Sequence, residues 1–261
     1  MCLILLAYRH HPRYRLILAA NRDEFYERPT QALAFWPDHS EIAAGRDLKQ
    51  MGTWLGITRQ GRLAAITNYR EIGVQQADAR SRGHLVADFL ALQIPTPQYL
   101  RELHQNGHRY NGYNLVVGDA QGLYYYSNRG GPASVLQPGI YGLSNRLLNT
   151  DWPKVRHGKA RLAALVTANG DDVDRQQLME LLQDQNIAPD DQLPDTGVGP
   201  EWERILAPIF IKSPTYGTRA SSLMTIDYQG NVQFTEITWH QAGAKPTLVD
   251  EKQIHFRIQS V

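Results

Sequence analysis

The chain has 261 residues, of which 42% are hydrophobic and 20% are charged, a composition typical of a globular protein rather than a disordered one. Lysine and arginine number 27 against 26 aspartates and glutamates, so the chain has no net field that would attract nucleic acid or an anionic membrane. Its single cysteine excludes an internal disulfide and a metal site built from several thiolates.

No secretory signal or membrane span is apparent in the sequence. The apolar run at residues 3–7 is short, and Arg9, His10 and His11 follow it at once. No stretch approaches the roughly 18 apolar residues that a membrane-spanning helix requires. We therefore expect a soluble protein of a reducing compartment, with the cytoplasm as its location.

Four hairpins are predicted along the chain. Residues 2–8 and 15–20 are continuous apolar runs, typical of strands buried on both faces, and the HHPR sequence between them favours a turn. The other predicted hairpins pair residues 53–58 with 63–67, 113–119 with 123–127, and 222–227 with 232–239. Hairpins that recur this often predict antiparallel sheet.

Helical patterns fall between the hairpins, in two pairs. The predicted helices cover residues 81–92, 96–106, 151–168 and 174–185. Ser81 and Asp151 are expected as N-caps, and Pro153 falls in a first turn, where proline is tolerated. Residues 186–203 are rich in Pro, Asp and Gly and are predicted to form a surface loop.

This order of elements predicts the α+β class, with two antiparallel sheets stacked face to face and a helix pair outside each. The nearly all-apolar opening strands fit this arrangement, because a sheet between two layers is wet on neither face. No linker or internal repeat divides the chain, so we expect one domain over residues 1–261.

The only cysteine lies at position 2, directly behind the initiator Met. It could be the first small apolar residue of a buried strand. Alternatively, removal of Met1 would give Cys2 a free α-amine, whose pKa of about 7.7–8.0 suits it to act as the base for the thiol.

A polar cluster, Asn21 to Glu24, follows the second apolar run, where the strand is expected to end. In a hairpin that closes near residues 11–13, the end of the second strand lies opposite the start of the first. Asn21, Arg22 and Asp23 are therefore expected near Cys2. The alternative is a solvated turn with internal salt bridges.

Two more asparagines follow apolar strands, Asn68 in TNYR and Asn145 in LSNR. A side-chain amide can donate to an oxyanion, although capping and turn formation explain these positions equally. Arg219 is expected just ahead of the strand at 222–227. There it could bind a substrate carboxylate, lower the pKa of a thiol, or lie on the surface.

Several familiar catalytic motifs are absent from the sequence. It has no P-loop, no GxGxxG after a strand, no HExxH and no GxSxG. The nine histidines form no recognisable metal-ligand spacing.

Several segments together resemble the NRDE family, the family of the transport-and-Golgi-organisation protein, from residue 2 to about residue 239. These segments are MCLILLAY, LAANRDEFYERPT, GRDLKQMGTWLGIT, TNYRE, GLSN and YGTRASSLMTI. The resemblance implies the N-terminal-nucleophile hydrolase fold, a four-layer αββα sandwich.

The resemblance also implies roles for individual residues. Cys2 matches the nucleophile of cysteine members of that fold, Asp23 the residue that holds the nucleophile's amine, and Asn68 the oxyanion donor. Asn145 matches their second active-site asparagine, and Arg219 is a looser match to a late arginine. Asn21, Arg22 and Arg219 are taken as substrate-binding candidates.

One position departs from the hydrolase pattern. Those hydrolases carry an arginine three positions before the aspartate, where this chain has Ala20, and the arginine here is Arg22. Because neighbouring residues of a strand point to opposite faces, Arg22 is not expected to point where the arginine of those hydrolases points.

Three functional hypotheses follow. The first is an N-terminal cysteine hydrolase that cleaves an amide or related acyl C–N bond of a small molecule and needs no cofactor. The second, also implied by the family, is a non-catalytic protein for haem, lipid or acyl-CoA trafficking, in which Cys2 could be an axial thiolate. The third is a domain with a relic site that docks a protein partner.

Overall fold

Two antiparallel β-sheets lie face to face in the structure, which is a computed structural model. It describes residues 2–168, 170, 172–240 and 247–259. The strands are β1 Cys2–Tyr8, β2 Tyr14–Phe25, β3 Thr30–Phe35, β4 Ile42–Asp47, β5 Leu55–Thr58, β6 Leu63–Asn68, β7 Tyr113–Gly118, β8 Leu123–Ser127, β9 Ser134–Val135, β10 Gly139–Leu143, β11 Tyr216–Asp227, β12 Asn231–His240 and β13 Thr247–Arg257. The α-helices are α1 Gly83–Ala91, α2 Thr96–Asn106, α3 Pro153–Ala168, α4 Arg175–Leu182 and α5 Pro200–Leu206.

The first sheet has the strand order β10-β1-β2-β11-β12-β13, and the second has the order β3-β4-β5-β6-β7-β8-β9. On β1, residues alternate between two cores. Leu3 and Leu5 pack with α3 and α4 on one face, whereas Ile4 and Leu6 belong to the core shared with the second sheet. The burial of both faces explains why this strand is apolar along nearly its whole length.

The second sheet is covered on its other side by α1 and α2. Helix α1 contacts β4, β5 and β6, and the Tyr99 hydroxyl of α2 donates to the Leu85 carbonyl of α1 at 2.6 Å. The layers therefore run helix, sheet, sheet, helix. The α+β class and the four-layer αββα sandwich expected from the sequence are confirmed.

The four predicted hairpins are present, but two of their strands are longer than predicted. β2 does not end before the polar cluster and continues to Phe25, because Asn21 and Asp23 find buried hydrogen-bond partners. β11 begins at Tyr216, so the expectation that Arg219 precedes the strand was wrong. A bulge between Thr218 and Ala220 interrupts its pairing there.

Other elements were missed. Helix α5 begins inside the segment predicted as a loop at 186–203, with Pro200 in its first turn. Helix α1 starts two residues later than predicted, with Arg82 rather than Ser81 at the N-cap position. The strands without a sequence prediction are β3, β4, β9 and β13, whereas β10 is the apolar strand expected ahead of Asn145.

Candidate active site

A cavity of about 290 Å³ opens where β1 begins and β6 ends. Cys2, Arg22, Asp23 and Asn68 line it. These residues come from both sheets, because the start of β1 in the first sheet meets the end of β6 in the second. The structure thus brings together four of the seven residues selected from the sequence.

Cys2 lies directly opposite Arg22 in the β1–β2 register, as a closed hairpin requires. Its side chain is partly exposed at the cavity. Burial raises the pKa of the Cys2 thiol, and the Asp23 carboxylate adds to this effect. Arg22 and a hydrogen bond from the Asp23 backbone act in the opposite direction. On balance the burial of Cys2 favours the neutral thiol over the thiolate.

Arg22 is held close to that sulfur although it is only 6% exposed. Its guanidinium carbon lies 4.3 Å from the ring centroid of Trp54, and its Nη1 donates to Thr30 Oγ1 at 3.3 Å. Glu24 lies 3.8 Å from its Nη2. Since directly paired residues of neighbouring strands share a face, Arg22 supplies a buried cation on the Cys2 side of the sheet.

Asp23 is 2% exposed and accepts a hydrogen bond on Oδ1 from Thr218 Oγ1 at 2.7 Å. Its backbone carbonyl accepts another from the Tyr216 hydroxyl at 3.0 Å. Burial raises the pKa of the Asp23 carboxyl, while Lys154, Thr218 and Arg22 lower it. Strand β11 thus fixes this carboxylate in place.

Lys154 was not predicted as a site residue. It is 5% exposed, and its Nζ donates to the Leu206 carbonyl at 2.8 Å. Burial lowers the pKa of Lys154 to about 8, with the Asp23 carboxylate acting in the opposite direction. Positions 154, 158, 162 and 166 are all buried on α3, so the four-residue spacing was a signal that this lysine faces inward.

Asn68 and Asn145 have different placements. Asn68 lines the cavity, and its backbone carbonyl accepts a hydrogen bond from Asn145 Nδ2 at 2.9 Å. Asn145 is fully buried, and its carbonyl accepts from the Arg70 N–H at 2.7 Å. Asn145 is not among the residues that line the cavity. It positions Asn68, whose side chain is the one available to a ligand.

Asn21 lies on the helix side of the first sheet. Its Nδ2 donates to the carbonyls of Leu182 and Ile209, at 2.7 and 2.9 Å, and its Oδ1 accepts from Ser221 Oγ at 2.7 Å. Through these hydrogen bonds, the Asn21 side chain connects β2 to the end of α4, to the segment at Ile209 and to β11. Asn21 does not line the cavity.

Arg219 is also directed elsewhere. Its Nη1 donates to the carbonyls of Phe25, Tyr26 and Arg28, at 2.9 to 3.0 Å. Arg219 therefore fixes the turn between β2 and β3 and does not line the cavity.

Three more arginines line the cavity, and sequence reasoning missed all of them. Arg28 binds both oxygens of Asp47, at 3.1 and 2.6 Å. Arg80 and Arg82 come from the segment just before α1, and Arg82 Nη1 donates to the Gly112 carbonyl at 3.1 Å. The sequence signal for Arg80 and Arg82 is the pair of arginines in ARSRG, a segment whose helical pattern indicates only the start of a helix.

Comparison with known proteins agrees with the resemblance found in the sequence. The profile of the family described as Transport and Golgi organisation 2 matches residues 1–241. The chain belongs to this family. It is 39% identical to the Transport and Golgi organization protein 2 homolog of Bos taurus over 280 aligned residues, covering 100% of both chains. It is 40% identical to the Homo sapiens homolog, covering 90% of this chain and 92% of that protein.

Among solved structures, the similarities are more distant. The Caenorhabditis elegans ortholog of N-acylethanolamine-hydrolyzing acid amidase matches with a TM-score of 0.47 and 11% identity, covering 85% of this chain and 92% of that one. A variant of conjugated bile acid hydrolase from Clostridium perfringens matches with a TM-score of 0.49 and 9% identity, covering 100% and 99%.

Proposed function

We propose that this chain is an N-terminal cysteine hydrolase that cleaves an amide or related acyl C–N bond of a small molecule in a reducing compartment such as the cytoplasm. The observation that carries the proposal is the position of the only thiol. Cys2 opens into a cavity that Asp23, Asn68 and Arg22 also line. A cysteine used only for packing would lie wholly within apolar surroundings.

The reaction begins once Met1 has been removed and Cys2 carries the α-amine. The amine accepts the thiol proton while the sulfur attacks the substrate carbonyl carbon, which compensates for the raised pKa of the thiol. The Asn68 amide donates to the oxyanion of the tetrahedral intermediate. The C–N bond then breaks, the proton passes from the α-amine to the leaving nitrogen, and a thioester remains.

Water completes the cycle. It attacks the thioester carbonyl and gives a proton to the α-amine, the C–S bond breaks, and the sulfur regains a proton as the acid leaves. An ionised Asp23 would stabilise the positive charge that the amine gains in both steps, and Thr218 keeps the Asp23 carboxyl group oriented. Arg22 stabilises negative charge on the sulfur as it leaves.

The test combines intact mass with turnover. We expect the mature chain to lack Met1, and a panel of small amides to release amine in a reaction that Cys2→Ala abolishes. Asn68→Ala should lower kcat about 100-fold or more, the usual cost of an oxyanion donor. Asn145→Asp serves as a comparison, because Asn145 acts through the Asn68 backbone. A mature chain that keeps Met1 would exclude this mechanism.

The second proposal uses the same cavity to bind haem without turnover. The donor set fits such a ligand: the Cys2 sulfur would hold the iron once it had lost its proton, and arginines lining the cavity would bind the propionate carboxylates. Haemin titration should then give a saturable one-to-one Soret shift that weakens in Cys2→Ala. A shift that Cys2→Ala leaves unchanged would contradict this proposal.

A further inference from the structure

The cavity holds more cationic than anionic side chains. Arg22, Arg28, Arg80 and Arg82 line it, against Asp23, Glu24 and Asp47. The three carboxylates are already engaged. Asp23 accepts from Thr218, Asp47 binds Arg28 through both oxygens, and Glu24 lies 3.7 to 3.8 Å from Arg28 and Arg22.

Two of the four arginines are left without such a partner. Within the part of the chain that the structure describes, no carboxylate lies within 4 Å of Arg80 or Arg82. Arg82 is half-buried and uses Nη1 on the Gly112 carbonyl, which leaves other donors of its guanidinium for a ligand. Glu24 and Glu71 act on the Arg82 guanidinium only from beyond contact distance. A half-buried guanidinium with no carboxylate in contact is costly to desolvate, and a ligand anion would offset that cost.

Arg82 is also close to the reacting atom. The sulfur of Cys2, when ionised, is the strongest of the charges that favour the cationic form of Arg82, against a burial effect that lowers its pKa. Ser81 and Gly83 line the same wall, so the N-terminal end of the nine-residue helix α1 faces the cavity and adds positive potential.

We propose that Arg82 and Arg80 form an anion-binding subsite, so that the substrate of the proposed hydrolase is a small amide that carries a carboxylate or a phosphate. To call the ligand a substrate rests on the proposed function, whereas the anion-binding subsite itself does not require turnover. A cavity of about 290 Å³ lies at the small end of ligand sites, and a short acyl amide would fit within it. The carboxylate-binding role expected of Arg219 thus falls to these two residues, since Arg219 bonds to three backbone carbonyls instead.

The test uses Cys2 as a reporter and compares two alkylating reagents of similar size. Iodoacetate is anionic and iodoacetamide is neutral, and both react with the same thiolate. The ratio of their rate constants therefore cancels any change in the pKa of the thiol and reports the local charge. We expect Arg82→Gln to lower the iodoacetate-to-iodoacetamide ratio roughly fivefold, and Arg80→Gln to lower it by a smaller factor because Arg80 is exposed.

Matched variants separate a local effect from a general one. Arg82→Lys keeps the charge and should keep most of the ratio, whereas Arg101→Gln removes an exposed arginine of α2 and should leave the ratio unchanged. In the unaltered protein, inorganic phosphate should slow iodoacetate labelling more than an equal ionic strength of sodium chloride does. This second measurement remains decisive if Arg82→Gln does not fold.

A ratio that stays constant in Arg80→Gln and Arg82→Gln, or phosphate that protects no better than chloride, would overturn the subsite. A lowered ratio in a protein that hydrolyses no amide would leave the subsite standing and remove the proposed hydrolase function. The two failures are therefore distinguishable.

Discussion

At the scale of single residues, opposing influences meet at the Cys2 sulfur. Burial and the Asp23 carboxylate raise the pKa of the thiol, while the cation of Arg22 lowers it. Sequence reasoning could place Asn21 to Asp23 opposite Cys2, because antiparallel register is simple geometry. It could not tell which side chains would reach the cavity. The side chains of Asn21 and Arg219 donate to backbone carbonyls that come near them only in the folded chain.

Labelling of Cys2 tests this balance. We expect iodoacetamide to modify the native protein, with a rate that rises with pH through a value above the ordinary thiol pKa of about 8.5, because burial raises the pKa of Cys2. Arg22→Gln should slow labelling at pH 7.5, since a cation is lost. Asp23→Asn should speed it, since a carboxylate is lost. Stopped reactions analysed by mass give the rates, and Arg101→Gln is the control.

A native protein that resists the reagent until it is denatured would return Cys2 to the role of a core residue. Labelling rates that stay unchanged in both Arg22→Gln and Asp23→Asn would show that neither charge acts on the sulfur.

The buried amine of Lys154 should make the free energy of unfolding depend on pH. In the unfolded chain this amine keeps its proton to about pH 10.5, whereas burial lowers its pKa to about 8 in the folded protein. Between those values the unfolded state binds more protons, so Lys154 makes the free energy of unfolding rise with pH. Relative to Lys154→Met, the unaltered protein should gain about 2–3 kcal/mol between pH 7 and pH 10.

Urea denaturation of both proteins at several pH values measures this difference. Lys49→Met, at an exposed position, is the control. A stability difference between the unaltered protein and Lys154→Met that does not change with pH would contradict the prediction.

At the scale of elements, predictability followed the strength of the apolar pattern. Strands β1, β7 and β8 follow apolar runs in the sequence and were predicted nearly to the residue. The edge strand β13, TLVDEKQIHFR, is exposed along most of its length, so hydrophobic burial left no periodic signal. Helix α5 was hidden among Pro, Asp and Gly, and its inward residue Glu203 pairs with buried Arg70 at 2.9 Å, a contact that no local pattern reveals.

Glu236 on β12 links the two sheets, and its ionisation should also make stability depend on pH. It is 2% exposed, and its Oε1 accepts a hydrogen bond from the backbone N–H of Leu33 on β3 at 2.8 Å. Burial raises the pKa of Glu236 from 4.5 to about 7. Between these values the folded state binds more protons, so the stability that Glu236 contributes at low pH is lost as pH rises through about 7.

Glu236→Gln keeps the acceptor for Leu33 and cannot ionise. It should match the unaltered protein near pH 4.5 and exceed its free energy of unfolding by about 2–3 kcal/mol at pH 8. Glu236→Ala removes the acceptor and should be less stable than Glu236→Gln at both pH values. Guanidinium denaturation measures all three proteins, and an identical pH dependence in the unaltered protein and Glu236→Gln would show that Glu236 does not titrate in this range.

At the scale of the whole molecule, the site depends on how the two sheets are joined. Met224 and Phe234 of the first sheet share a core with Leu115 and Val117 of the second. The cavity lies at one end of this shared core, with Cys2 on one sheet and Asn68 on the other. No helix among the described residues is long and apolar enough to cross a membrane. Because Cys2 and Asn68 lie on different sheets, the alignment of the two sheets determines the distance between them.

The shared core predicts that the sheets unfold together. A core built from both sheets cannot be lost from one without exposing apolar surface on the other, so we expect a single cooperative transition in urea. Far-UV circular dichroism follows both sheets, whereas pulse labelling of Cys2 with iodoacetamide follows only the start of β1. The two midpoints should coincide, and Phe234→Ala, which leaves a cavity in the shared core, should lower both equally by an amount equivalent to about 3–5 kcal/mol. If Cys2 became fully reactive at a urea concentration well below the circular dichroism transition, the start of β1 would open independently of the sheets. The geometry of the site would then depend on local contacts, such as that of Arg22 with Trp54, rather than on the joined sheets.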